Sequence, residues 1–149
     1  MSLERGRVLA VDPGEKRIGL AISDPTGTIA NPLLVLKHVS RTADAASIVQ
    51  IAEEWGVVEI VIGQVVELDG MPGAMGRKAQ RLAEAIRSHT EIPVILWDES
   101  GSTQTARNAR KKMGVKQSQR RGHMDDLAAA VILQSYLNSR DSIFPIEEG

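Results

Sequence analysis

The sequence predicts an α/β fold whose mixed sheet carries an antiparallel edge and helices on both faces. Three observations lead there. Two short apolar runs, Val8–Val11 and Ile18–Ile22, flank Pro13-Gly14 and read as a hairpin. Two later apolar runs, Val57–Ile62 and Ile92–Trp97, alternate with stretches of helical periodicity, the pattern of parallel strands with crossover helices. The run Leu127–Leu133 is apolar almost all round, which predicts a buried helix whose alanines approach a sheet closely.

The elements follow in order. Val8–Val11 is β-branched and too short for a helix, so it is a buried strand, and Asp12 sits where that strand leaves the sheet. Thr26-Gly27 marks a second turn. Thr28–Leu36 is a third strand, and Asn31-Pro32 within it points to an edge or a bulge. Ser40 to Asp44 offers N-cap residues, and Ile48, Ile51, Ala52 and Trp55 share one helical face that Gly56 ends. Val57–Ile62, broken only by Glu59, suits a parallel strand covered on both sides and ending at Gly63. A loop over 64–76 precedes a helix with Met75, Ala79, Leu82, Ala83 and Ile86 inward. The strand Ile92–Trp97 ends in Asp98-Glu99. A polar, basic helical piece over Thr103–Lys112 is broken by Gly114, and a loop leads to Asp125-Asp126 at the start of the Leu127 helix. Residues 143–149 form a frayed tail. Right-handed crossovers set the Val57 and Ile92 strands beside the first strand, successively outward. Asp12 and Asp98-Glu99 then lie at the carboxyl ends of parallel strands, where open α/β sheets place their sites.

Composition narrows the chemistry. The chain has 149 residues, the size of one domain, and no cysteine, which excludes disulfides, thiol catalysis and cysteine-bound zinc. No secretory signal is visible and no apolar run approaches a bilayer span, so a soluble cytoplasmic protein without membrane contact is expected. The net charge of −1 is unevenly spread. Residues 100–123 contain no acid, yet hold Arg107, Arg110, Lys111, Lys112, Lys116, Arg120 and Arg121. Such a run is most often a solvated face, but without compensating acids it makes a positive field suited to phosphates. Lys16 and Arg17, in the first hairpin, are counted with it as nucleic-acid-binding candidates. Among the aromatics, Trp55 and Phe144 read as core or docking residues. His38 and His89 read as surface residues, whereas His123, two before Asp125, is a candidate phosphate contact or proton shuttle.

Asp12, Asp98-Glu99 and Asp125-Asp126 converge on one end of the sheet in this topology. Each has a simpler reading: Asp12 as a turn residue, Asp98 as a cap, Asp125 and Asp126 as partners of a helix dipole. Carboxylates brought together repel unless a cation lies between them. The cluster therefore points to a hard divalent ion, Mg²⁺ or Mn²⁺, and to hydrolysis of phosphodiesters beside a basic wall.

Specific motifs stand at these positions: Val11-Asp12-Pro13-Gly14 with Lys16-Arg17-Ile18-Gly19-Leu20-Ala21 and Ser23-Asp24; Ile62-Gly63 with Asp69-Gly70; Leu96-Trp97-Asp98-Glu99 with Ser102-Thr103; Asp125, Ala128-Ala129 and Ile132-Leu133-Gln134-Ser135-Tyr136-Leu137. In this order they resemble the YqgF/RuvX family of RNase H-like nucleases, over nearly the whole chain. The resemblance implies an RNase H-like three-layer fold with sheet order 3-2-1-4-5, as one domain over 1–149. It also implies a cytoplasmic bacterial nuclease, dependent on Mg²⁺ or Mn²⁺, that matures the 5′ end of pre-16S ribosomal RNA, with a ribosomal particle as a candidate partner. The family's catalytic and metal-binding carboxylates fall on Asp12, Asp98, Glu99 and Asp125. Asp126 ranks as a neighbour, and strand alternation lets only one of Asp98 and Glu99 face the metal. The chain departs from the family at Gln64-Val65-Val66, at Ser100-Gly101 where Arg-Leu is usual, and at His123 within Arg121-Gly122-His123 where Lys-Gly-Lys is usual. Substrate positioning is therefore expected to differ more than the fold.

Three other readings compete. A Holliday-junction resolvase would act on branched DNA as a homodimer, whereas the RNA reading allows a monomer. A binding module without catalysis is disfavoured, because orphaned carboxylates would repel phosphates. A phosphate loop of a kinase-like fold would require a second domain, and no Gly-x-x-x-x-Gly-Lys-Ser/Thr loop is present. With few aromatics, recognition should rest on phosphate and shape and weaken steeply with salt.

Overall fold

Val8, Leu9, Ala10 and Val11 are wholly buried and form the middle of strand β1 (Arg7–Pro13). The computed structural model describes residues 5–64, 74–98 and 121–143. Strand β2 (Arg17–Ser23) returns antiparallel to β1, and Gly14 N–H donates to the Arg17 carbonyl at 2.9 Å to close the turn. A Cβ at Gly14 would lie 2.5 Å from that oxygen, so only glycine closes the turn this tightly.

Strand β3 (Ala30–Lys37) pairs antiparallel with β2 at the sheet edge. Leu20 pairs with Leu34 but Ala21 with Pro32, so Leu33 is the extra residue of a bulge. The bulge and the edge position accommodate Pro32, as its lack of an N–H requires.

Helix α1 (Arg41–Glu54) is capped by Ser40, whose Oγ accepts from Ala43 N–H at 3.1 Å. Its buried face is Ala45, Ile48, Val49 and Ala52, together with Asp44. The expected face through Ile51 and Trp55 is thus corrected. Ile51 is only partly buried, and Trp55 is 43% exposed with the Arg7 guanidinium 5.6 Å from its ring centre. Trp55 is the C-cap, outside the regular helical turn, so the i+7 projection does not carry it inward. Gly56, at φ 66°, then reverses the chain into β4 (Val57–Gln64).

Strand β4 pairs parallel with β1, and β5 (Val94–Asp98) parallel with β4. Among the described residues the sheet has five strands in the order β3-β2-β1-β4-β5, as expected. β4 runs to Gln64, beyond the expected end at Gly63. β5 starts later than Ile92 because Pro93 has no N–H to donate, although its carbonyl accepts from Ile60 N–H at 2.9 Å.

Helix α2 (Ala74–Arg87) buries Ala79, Leu82, Ala83 and Ile86; the side chain of Met75 lies outside the described residues. It packs with α1 over one face of the sheet, enclosing Leu9, Val11, Leu20, Ile60 and Ile62. Helix α3 (Arg121–Ile143) covers the other face, where Ala129, Ile132, Leu133 and Leu137 meet Val8, Ala10, Ala21 and Val61. Ala10 and Ala21 pair in register there, and of the helix alanines Ala129 is wholly buried in the same core. α3 is not buried all round, however. Leu127 and Val131 are 39% and 38% exposed, because no further layer covers that side among the described residues. Ile143, assigned to the tail, ends α3, while Phe144 lies outside the described residues. Among the described residues, no helix is long and apolar enough to cross a membrane.

Candidate functional site

Strand alternation decides which face each carboxylate occupies. On β1, Leu9 and Val11 belong to the α1/α2 side and Val8 and Ala10 to the α3 side, so Asp12 continues the α3 side and Pro13 the other. On β5, Leu96 packs on the α1/α2 side and Ile95 and Trp97 on the α3 side, so Asp98 continues the α1/α2 side. Val11 is level with Ile62, and Ile62 with Leu96. Asp12 is therefore one residue and Asp98 two residues beyond a common rung, both at the carboxyl end of the parallel strands. The structure brings them to one end of the sheet but to opposite faces.

The remaining acids complete the account. Glu99 lies outside the described residues. Asp125 and Asp126 belong to α3 by backbone, more than one turn after its start at Arg121, and their side chains lie outside the described residues. Their expected place at the helix start is corrected: the first turn of α3 contains no acid, so the helix-dipole reading loses its basis. Among the described residues no group of three potential metal ligands stands together.

Of the basic candidates, Lys16 and Arg17 are exposed at the β1–β2 turn. Arg17 pairs in register with Lys37, and Lys16, Arg17, Val35 and Lys37 line an open depression of about 510 Å³. In β2, Ala21 belongs to the α3 side, and so by alternation do Gly19 and Arg17. Asp12 pairs with Gly19, so its neighbour across the hairpin on that face has no side chain, and the cations follow one step along. Lys37 escaped the sequence reading because only the β2–β3 register puts it beside Arg17. Arg107, Arg110, Lys111, Lys112, Lys116 and Arg120 lie outside the described residues, as do the side chains of Arg121 and His123.

Two motif residues have structural tasks. Ser23 is fully buried, and its Oγ accepts from Val8 N–H at 2.8 Å. Asp24 accepts from the N–H groups of Ile29 and Thr28 and from the Thr26 hydroxyl, which hold its carboxyl far below the usual carboxylate range. His38 is not the simple surface residue expected. Its Nδ1 is 2.5 Å from Oδ2 of buried Asp44, whose Oδ1 accepts from Val39 N–H at 3.0 Å. His89 is exposed, as expected, with Nδ1 2.8 Å from the Ala85 carbonyl.

Comparison with known proteins agrees with this architecture. Residues 6–139 match the model of the RuvX family, described as Holliday junction resolvase. A protein of Anaeromyxobacter sp. (strain Fw109-5) is 42% identical over 134 residues, covering 90% of this chain and 98% of the relative. One from Roseiflexus sp. (strain RS-1) is 35% identical over 140 residues, covering 94% and 99%. Both carry the provisional name of pre-16S rRNA nuclease. Among solved structures, Thermus thermophilus RuvC with a Holliday junction substrate superposes at a TM-score of 0.56 and 16% identity, over 91% of this chain and 96% of that one. Fowlpox virus resolvase with Holliday junction DNA gives 0.51 at 14% identity, over 89% and 97%. At such identities these structures establish the fold alone, an RNase H-like sheet with helices on both faces.

Proposed function

The chain belongs to the RuvX family, and from that membership we propose that it is a nuclease that hydrolyses phosphodiester bonds of structured nucleic acid, with precursor ribosomal RNA as its substrate. The observation that carries the reading is the position of Asp12. It lies at the end of the central strand on the face covered by α3, the helix that carries Asp125, with Arg17 and Lys37 on the same side and Lys16 lining the same depression.

The donors fit a hard divalent cation, since every candidate is a carboxylate oxygen. Asp12, Glu99 and Asp125 are the residues we assign to hold Mg²⁺ or Mn²⁺. Alternation puts Asp98 on the far face from Asp12, and of the pair we therefore assign the metal to Glu99. A bound ion supplies an activated water and neutralises charge at the reacting phosphate. The backbone of Asp12 is held at the strand end by its pairing with Gly19 of β2, one residue beyond the last β4 partner, Val11. Lys16, Arg17 and Lys37 present donors that orient the phosphate backbone beside it. The seven basic residues of the 100–123 segment, without an acid among them, are further candidates for phosphate contact.

The test is cleavage of an end-labelled structured RNA leader, a single-stranded RNA and a four-way DNA junction, each with Mg²⁺, Mn²⁺ or EDTA. Metal-dependent cutting of the leader that Asp12→Asn reduces on the order of 100-fold or more is the expected result. Binding without cleavage under either metal would sink the catalytic assignment. A second reading rests on the family's description and on the junction complexes of its structural neighbours. Under it, paired symmetric cuts in the junction by a dimer replace cleavage of the RNA.

A further inference from the structure

A second concave surface opens on the opposite side of the sheet from Asp12. It is a cavity of about 460 Å³ beside the β1–β2 turn, walled by Pro13, by the start of α1 and by α2. Three permanent cations converge on it: Arg41 from α1, and Lys78 and Arg81 from α2, one turn apart. Lys78 Nζ donates to the Gly14 carbonyl at 2.7 Å, which leaves two of its three donors. Neither Arg41 nor Arg81 pairs with a carboxylate among the described residues. Of the two acids in the wall, Asp44 is committed to His38 and to Val39 N–H, and Glu15 is exposed on the turn.

A solvated helix face would spread such charges apart, because like charges facing one hollow repel. Here cations from two helices meet at a hollow the size of a nucleotide beside the hairpin turn, and neither guanidinium pairs with a carboxylate among the described residues. That is the chemistry of phosphate recognition, in which Arg binds two oxygens of one group. Position adds to it. Pro13 follows Asp12 directly, so a strand lying over the carboxyl end of β1 passes from the Asp12 side to this cavity across a single turn.

We propose that this cavity is a second, non-catalytic phosphate site, in which Arg41, Lys78 and Arg81 hold a backbone phosphate of the bound nucleic acid away from the scissile bond. The proposal rests on the nucleic-acid-binding part of the function above, not on cleavage. Lys78 has a double place in it: its ammonium lines the site and also braces the turn that follows Asp12. The site acts by positioning, so its loss weakens binding uniformly across sequences.

Binding of labelled RNA leader and four-way junction is to be measured by fluorescence anisotropy over a salt series. The protein is the full chain carrying Asp12→Asn, with and without Arg41→Ala plus Arg81→Ala. Both arginines are exposed, so the fold should survive, which a thermal melt checks. The expected result is about tenfold weaker binding at low salt, with a logarithmic salt slope shallower by about 2, one unit per lost phosphate contact. Arg41→Lys plus Arg81→Lys should restore the slope. An unchanged slope and affinity in the double alanine variant would overturn the proposal. Parallel titrations with inorganic phosphate and a nucleoside 5′-monophosphate separate the source. Tight, arginine-dependent binding of the monophosphate with an unchanged polymer slope would assign the cavity to free nucleotides and reject a backbone site. Cleavage by the parent chain is scored separately. An inactive parent with the expected slope change sinks the nuclease reading alone, and an active parent with no slope change sinks this one alone. A parent that binds neither polymer nor phosphate overturns both.

Discussion

Tyr136 illustrates how a single side chain acquires a role that its neighbours in sequence do not reveal. Its hydroxyl donates to Glu59 Oε1 at 2.9 Å, and Arg140 reaches the same oxygen at 3.4 Å while its guanidinium lies 5.4 Å from the Tyr136 ring centre. The Trp97 ring meets it edge-on, with centroids 5.4 Å apart. Burial, then the hydrogen bond to Glu59 and its charge, push the phenol up to about 12. The folded-state value lies above the unfolded value of about 10, so this contribution to stability is fully present below pH ~10 and is lost as pH rises through about 12. Tyr136 is the chain's only tyrosine, so the phenolate absorbance of the native protein reads it directly. The expected midpoint is near 12, and a midpoint at the free-phenol value would show that Tyr136 is neither buried nor bonded to Glu59 in solution. Glu59 and Tyr136 are 77 positions apart, which is why the closing motif could single out Tyr136 but could not assign its partner. The same holds for His38: it looked like a surface residue because Asp44 meets it only once Ser40 has capped α1 and turned the first helical turn back toward it.

At the scale of elements, α3 is attached to the sheet edge by an amide as well as by its apolar stripe. Gln134 Oε1 accepts from Ala30 N–H at 3.0 Å, and its Nε2 donates to the Thr28 carbonyl at 2.9 Å. The side chain therefore continues the hydrogen bonding of β3 at its entry, where the edge strand has no further strand beside it among the described residues. Gln134→Ala removes both bonds and should cost about 1–2 kcal/mol, read as a lower denaturant midpoint with an unchanged slope. An unchanged midpoint would mean that water replaces the amide without loss. Gln134 was visible in the sequence only as part of the closing motif. Its function depends on β3 lying under α3, a contact between elements about a hundred residues apart. The apolar stripe of α3 is a different case. The run Leu127–Leu133 could be read as a buried helix, but that Ala128, Ala129, Ile132 and Leu133 face inward while Leu127 and Val131 are exposed could not. Both are as apolar as the residues that are buried; only the number of layers decides which side of the helix is left uncovered.

For the whole molecule, the proposed site joins elements far apart in the chain: Asp12 on β1, Glu99 after β5 and Asp125 on α3. A divalent ion that binds the native arrangement and not the unfolded chain should therefore raise the melting temperature. At a concentration roughly 100 times its Kd the stabilisation is about 2.7 kcal/mol. Mg²⁺ or Mn²⁺ should shift the melt of the parent and not that of Asp12→Asn, a readout independent of cleavage. Equal shifts in the two proteins would place the ion elsewhere. The net charge of −1 conceals an uneven distribution: Asp12 and Asp98 share one sheet end, while Lys16, Arg17 and Lys37 line one hollow and Arg41, Lys78 and Arg81 another.

The sequence by itself determined the element order, the parallel and antiparallel pairings and the strand ends that carry Asp12 and Asp98. These follow from short-range rules: β-branched runs, the Pro13-Gly14 turn, the Ser40 cap, and the right-handedness of crossovers. Tertiary structure alone decided the faces and the partners. The parity that separates Asp12 from Asp98 depends on which residue of each strand is level with which residue of β4. The union of Lys37 with Arg17 depends on a register shifted by the bulge at Leu33. The meeting of Arg41, Lys78 and Arg81 over one hollow depends on how α1 and α2 pack together. Local sequence sets the torsions of each segment, but register and packing minimise the energy of the assembled sheet, so the places where functional side chains meet exist only after that assembly.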